Sequence, residues 1–183
     1  MNSTGRDLGQ GHRTLVAGVG NIFLGDDGFG VEVVRRLASQ PLPDDVEVVD
    51  SGVRGVHLAY QLLDGYETAV LVDATSRGAA PGTIHLIDAS ARPPRGDAPA
   101  PVAPDGHHMT PDAVLALLET LRNSAGGTGP RRVLVVGCEP ASVEEGIGLS
   151  EPVAAVVDEA VRCVLSVVRD EACHACPEGI SEP

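Results

Sequence analysis

Aromatic side chains are nearly absent from this sequence: there is no Trp, and only Phe23, Phe29, Tyr60 and Tyr66 carry six-membered rings. With so few rings there is no platform on which bases could stack, and the core has to be aliphatic. Positive charge is scarce as well. Thirteen Lys and Arg stand against 26 Asp and Glu, giving a formal charge of −13 and a pI near 4.7. That balance opposes binding to nucleic acid or to an anionic membrane, and would attract a basic segment of a partner. No apolar run approaches the ~18 residues of a membrane span. The four cysteines do not suggest a disulfide framework, since Cys138 ends an apolar run and Cys163 falls in a helical one. Catalytic signatures are missing too. There is no H-E-x-x-H helix, no G-x-S-x-G elbow, no Walker lysine, and no Cys–His nucleophile pair in the body of the chain.

What is present is aliphatic periodicity. Val-rich runs predict strands over Thr14–Val19, 46–50, 68–73, 83–87 and 133–136, the fourth near an edge. Helical spacing predicts helices over Phe29–Leu37 and 57–63, a third opened by Thr110 and Pro111, and a last one from Pro152. Strands and helices that alternate in this order make a three-layer α-β-α sandwich around a mostly parallel, about five-stranded twisted sheet. One α/β domain is expected over 13–169. Residues 1–12 read as a flexible leader without a secretory pattern, so a cytoplasmic protein is expected. Residues 170–183 form a tail carrying Cys173-His174-Ala175-Cys176, a pair that could bind a soft metal or oxidise but does not complete a zinc site. The proline-rich stretch 89–106 reads as a long loop positioned to gate a crevice.

In open α/β sheets the ligand crevice lies beyond the C-terminal strand ends. Topology directs four polar features there: Asp26 and Asp27 after the first strand, Asp50 and Ser51 after the second, Asp73 after the third, and Cys138 with Glu139 after the fifth. His107 and His108, just before a helix, can face the same rim. Two carboxylates and an imidazole would suit a divalent metal. Each residue also has a plainer role: Asp27 as a helix-start acid, Asp73 as a turn cap, the histidines as a solvated loop. A nucleotide site fits poorly. Phe23 stands where a dinucleotide fingerprint needs its third glycine, and Asp26 and Asp27 would repel a pyrophosphate, although Asp50 occupies the ribose-binding position.

The segment Gly18-Val-Gly20-Asn21-Ile-Phe-Leu-Gly-Asp26-Asp27-Gly28-Phe-Gly30-Val resembles the opening motif of the nickel-iron hydrogenase maturation proteases. The likeness continues through Asp50-Ser-Gly52-Val-Arg-Gly55, Val72-Asp73-Ala74, Pro81-Gly82-Thr83, His107-His-Met109, Gly137-Cys-Glu139-Pro140 and Gly148-Leu149-Ser150. The resemblance implies that Asp27, Asp73 and His107 contact a metal and carry catalysis. His107 is chosen by its offset to Val114, and His108 is the alternative one register away. Gly18, Gly20, Asn21, Asp26, Gly28, Gly30, Gly52 and Gly55 would shape the loops around them. It further implies an endopeptidase, classed in the family as aspartic-type, that removes a C-terminal peptide from a nickel-loaded hydrogenase large-subunit precursor. The nickel would be contacted in the substrate and not permanently held, with no nucleotide. No nucleic-acid or membrane partner is expected, and a monomer is. A non-enzymatic checkpoint or chaperone for the metallated precursor would use the same residues.

Overall fold

Along the central strands the side chains alternate between two faces, and each face carries its own core. The computed structural model describes residues 13–90, 110–125 and 128–169. In chain order these form β1 (Thr14–Val19), α1 (Phe29–Leu37), β2 (Val46–Gly52), α2 (Gly55–Gln61), β3 (Thr68–Ala74), β4 (Ile84–Asp88), α3 (Pro111–Ala125), β5 (Arg132–Cys138), α4 (Glu151–Ala154) and α5 (Val157–Val168). The sheet order is β2-β1-β3-β5-β4. All pairs are parallel except β4 with β5, so β4 is the antiparallel edge strand.

Leu15, Ala17 and Val19 of β1 and Leu71 of β3 pack with Leu58 of α2 and Val114 and Leu118 of α3. Val16, Val70 and Val72 point the other way, onto Phe29, Val33 and Leu37 of α1 and Val157, Val161 and Val164 of α5. Each fully buried side chain of this size contributes roughly 1.5–3 kcal/mol. This is the three-layer sandwich that the sequence predicts. α3 begins as expected: the Ala113 N–H donates to Thr110 Oγ1 at 3.3 Å, with Pro111 in the first helical position. The last helix differs. It is broken in two, because the backbone leaves helical dihedrals at Val156 (φ −103°, ψ 1°). Residues 1–12, most of 89–106, and 170–183 with Cys173 and Cys176 lie outside the described residues.

α1 lies against β1 and β3 at a distance only glycine permits. A Cβ on Gly30 would stand 2.1 Å from the Val72 carbonyl oxygen and 2.4 Å from that of Val19. A Cβ on Gly18 would stand 2.3 Å from the Gly30 oxygen. Both obstacles are backbone, so the helix itself would have to retreat. Gly30→Ala should therefore cost about 1–3 kcal/mol or more. A thermal melt should show Tm lowered by several degrees, at ~2–4 °C per kcal/mol. An unchanged Tm would mean that α1 can move outward freely.

The connection from β1 through α1 leads to β2 on one side, while the chain returns through α2, on the opposite face, to β3 on the other side. The strand order thus reverses between β1 and β3, which opens the crevice at their C-terminal ends.

Candidate active site at the switch point

β1 runs out at Val19 and the chain must turn at once, because α1 begins only ten residues later. Gly20 makes the turn with φ +123°, and a Cβ there would fall 1.8 Å from the Asp27 carbonyl oxygen. A side chain is excluded both by conformation and by space. The loop folds back on itself: the Asn21 N–H donates to Asp27 Oδ2 at 2.6 Å, and Asn21 Oδ1 accepts the Phe23 N–H at 3.0 Å. Gly25–Gly28 then forms one 3₁₀ turn that leads into α1. A Cβ on Gly28 would stand 3.2 Å from the Ile22 Cα.

The two adjacent aspartates of this turn go to different places. Asp26 is 1% exposed and points into the protein, where it accepts four hydrogen bonds. These come from the N–H of Ala141 (2.8 Å), Ser142 (3.1 Å) and Ser150 (2.6 Å) and from the Ser150 hydroxyl (2.9 Å). Burial alone would push its carboxyl up. The Ser150 and Ser142 N–H groups, the Ser150 hydroxyl and the Ala141 N–H outweigh that and hold it below the ordinary carboxylate range. Asp27 is half-buried and stays in the crevice.

Asp73 is the penultimate residue of β3, on the sheet face that carries α2 and α3, and is 4% exposed. Burial pushes its carboxyl well above the ordinary value; the neighbouring charge of Asp27 adds to this, the Ala74 N–H opposes it, and Asp112 in the first turn of α3 adds again. The two carboxylates therefore feel each other across the switch point, and the start of α3 is near enough to act on Asp73. His107 and His108 fall outside the described residues. Among the described residues no three His, Cys, Asp or Glu side chains gather as a metal-holding set.

Two of the polar groups expected at the rim have other work. Asp50 is exposed and pairs with Arg35 of α1 at 3.3 Å, while the Arg54 guanidinium donates to its carbonyl at 2.7 Å. Its side chain is thus held by a helix partner, and Gly52 (φ +51°) and buried Ser51 carry the turn beside it. Gly55 starts α2 and is buried. Glu139 is buried and accepts from the N–H of Arg77 (2.7 Å) and Gly78 (3.1 Å), which ties the segment after β3 to the end of β5. Cys138 is no nucleophile. Burial first, then the charges of Asp26 and Glu139, push its thiol up to about 12, so thiolate is negligible at neutral pH. Ser150 is the contributor that residue type alone did not expose. It precedes α4, where a helix cap is expected, yet gives its hydroxyl to Asp26.

A carboxylate pair at an α/β switch point fits several chemistries, and kinship narrows them. Residues 31–167 match the sequence model of the family described as hydrogenase maturation protease. The chain belongs to the hydrogenase maturation protease family. It is 32% identical over 167 residues to the hydrogenase 2 maturation protease of Escherichia coli, covering 90% of this chain and 96% of that one. It is 30% identical over 175 residues to the hydrogenase expression/formation protein HupD of Rhizobium leguminosarum bv. viciae, covering 93% and 82%. Among solved structures it resembles the hydrogenase maturating endopeptidase HybD from Escherichia coli, with a TM-score of 0.66 and 30% identity over 86% of this chain and 93% of that one. The five-stranded, mostly parallel sheet with its helices accordingly matches the fold of that endopeptidase.

Proposed function

We propose that this peptidase removes a C-terminal peptide from the nickel-loaded large-subunit precursor of a nickel-iron hydrogenase. The observation that carries the proposal is the pair Asp27 and Asp73, set at the switch point with Asp73 buried against a like charge. A buried carboxylate beside another is costly unless a cation or a proton compensates it. Nickel already bound in the precursor supplies such a cation, which gives the enzyme a reason to engage loaded substrate and to pass over the empty form. His107 is the third contact. It lies five residues before Asp112, which already acts on Asp73, and a few extended residues span more than 10 Å. His108 is its one-register alternative. On this reading the free enzyme holds no metal and no nucleotide.

Hydrolysis would use water. The substrate's nickel would polarise the scissile carbonyl, and water would add to its carbon and displace the amine nitrogen, with a carboxylate relaying the proton from water to that nitrogen. Asp73, whose burial raises its affinity for a proton, would in its ionised form take the water's proton and pass it to the departing amine nitrogen, in keeping with an aspartic-type assignment. The inert Cys138 thiol argues against a thiol route. The enzyme would work as a monomer in the cytoplasm; the buried Cys138, which is in no disulfide, suits a reducing compartment. Among the described residues no helix is long and apolar enough to cross a membrane.

The test is an intact-mass assay of cognate precursor, nickel-loaded and nickel-free, incubated with wild type, Asp27→Asn, Asp73→Asn and His107→Ala. The expected result is a mass loss equal to one C-terminal peptide, seen with loaded precursor alone and abolished in the variants. Binding without cleavage by wild type would make the protein a checkpoint, and cleavage of both precursors would remove nickel from the recognition.

A further inference from the structure

Large apolar side chains are exposed at three strand ends on one edge of the sheet. Ile22 and Phe23 follow β1, Val53 and Val56 follow β2, and Val143 and Ile147 follow β5. These three strands are parallel, so all their C-terminal ends meet the crevice edge. Phe23 is 62% exposed and Ile147 is 85% exposed, although the core is short of rings and could have used a buried Phe.

The Phe23 and Ile147 segments are fastened together. The Gly146 N–H donates to the Phe23 carbonyl at 2.9 Å, the Gly25 N–H to the Gly146 carbonyl at 3.0 Å, and the Asp26 N–H to the Ser142 carbonyl at 3.1 Å. Asp26 clamps the far side through Ala141, Ser142 and Ser150. Loops so bonded present their side chains with little left to order on binding, which raises affinity. The face is also continuous with the peptidase site. Asn21 holds the Phe23 N–H with its side chain and donates its own N–H to Asp27. Phe23 is thus tied through Asn21 to Asp27. Glu144 and Glu145, both exposed, stand between Val143 and Ile147 and line a hollow of about 280 Å³ with Asp26 and Ser150.

From this arrangement we infer that the joined loops 21–24 and 142–148 form the docking face for the precursor, and that they bind a patch of apolar side chains bordered by Lys or Arg. Phe23 and Ile147 are its apolar anchors. Glu144 and Glu145 match the basic border, in line with the chain's charge of −13. The inference rests on the proposed function, since it names the occupant as that precursor.

The experiment measures kcat and KM for nickel-loaded precursor with wild type, Phe23→Ser/Ile147→Ser and Glu144→Gln/Glu145→Gln. The apolar double variant should raise KM at least about ten-fold, as loss of buried interface anchors does, with kcat changed far less. Its Tm should stay at the wild-type value, because both side chains face solvent. The Gln pair should flatten the fall of kcat/KM with added salt. If wild type cleaves and the apolar variant keeps its KM within two-fold, docking at this face is wrong while the proposed function stands. If wild type neither binds nor cleaves the precursor, the proposed function fails and takes this inference with it. A wild-type dimer in sedimentation that the apolar variant abolishes would assign the face to a second copy and overturn the proposal.

Discussion

Asp73→Asn should lose cleavage and gain stability in the same protein. The loss follows from the proposed role. Removing a group that contacts the substrate's metal and manages a proton costs ~10²–10⁴-fold in rate. The gain follows from where the carboxylate sits. Asp73 is almost wholly enclosed, beside the charge of Asp27, and both press it toward its protonated form. For an acid whose folded pKa lies above its unfolded one, the folded state binds the extra proton. Its contribution is then favourable at low pH and is lost as pH rises from the ordinary carboxylate range through the folded value. Asn is nearly isosteric and never ionises. Its Tm advantage over wild type should be absent in acid and grow to a few degrees at neutral pH, where ~1 kcal/mol corresponds to about 2–4 °C. Melting curves for both proteins across pH 3–8 check this. A variant that is inactive and also less stable at neutral pH would mean that Asp73 is held by hydrogen bonds strong enough to cancel its burial.

The same comparison shows what the sequence carries and what it leaves open. β1 and α1 were legible to the residue, because a run of Val and Leu ends at glycine and an amphipathic helix starts behind an acidic turn. β2, β3 and β5 extend past their apolar runs, to Gly52, Ala74 and Cys138, because neighbouring strands supply ladder partners there. α2 starts at Gly55, two residues before the apolar spacing suggests. Within the site, residue type alone marks the pair Asp26-Asp27 as important, and only the family resemblance divides it, with Asp26 shaping a loop and Asp27 in the site. Nothing in two identical adjacent residues says that one anchors a loop 115 positions away while the other stays in the crevice. That division is made by the 3₁₀ turn at Gly25–Gly28, which aims successive side chains in different directions. Asp50 misleads for the opposite reason. It occupies a strand end, as Asp73 does, but Arg35 on α1 holds its side chain in an exposed ion pair. Position along a strand gives the rim; the partner on the next element decides which group faces it.

Asp26→Ala should be the most damaging single change outside the cores, by a route distinct from Asp73. It strips the acceptor from three backbone N–H groups and one hydroxyl, on residues 115 to 124 positions away in sequence. Each was satisfied inside the protein by a charged partner. The expected cost is roughly 3–5 kcal/mol, the range found when one partner of a buried charged cluster is removed. At ~2–4 °C per kcal/mol, Tm should fall by on the order of 10 °C. Hydrogen exchange should localise the damage, with protection of the Ala141, Ser142 and Ser150 amides lost first while β1 and β3 stay closed. The pH dependence has the opposite sign to that of Asp73. Asp26 has a depressed carboxyl, so its stabilisation is present above the ordinary carboxylate range and disappears as pH falls through the folded value. The Tm gap between wild type and Asp26→Ala should accordingly be widest near neutral pH and close in acid. Asp26 touches no reacting atom on the proposed mechanism, so its effect on cleavage passes through the 142–148 loop. Cleavage by Asp26→Ala should recover in part at low temperature, where the loop re-forms, whereas cleavage by Asp73→Asn should not. Equal losses at every temperature would place Asp26 among the groups that act on the substrate itself.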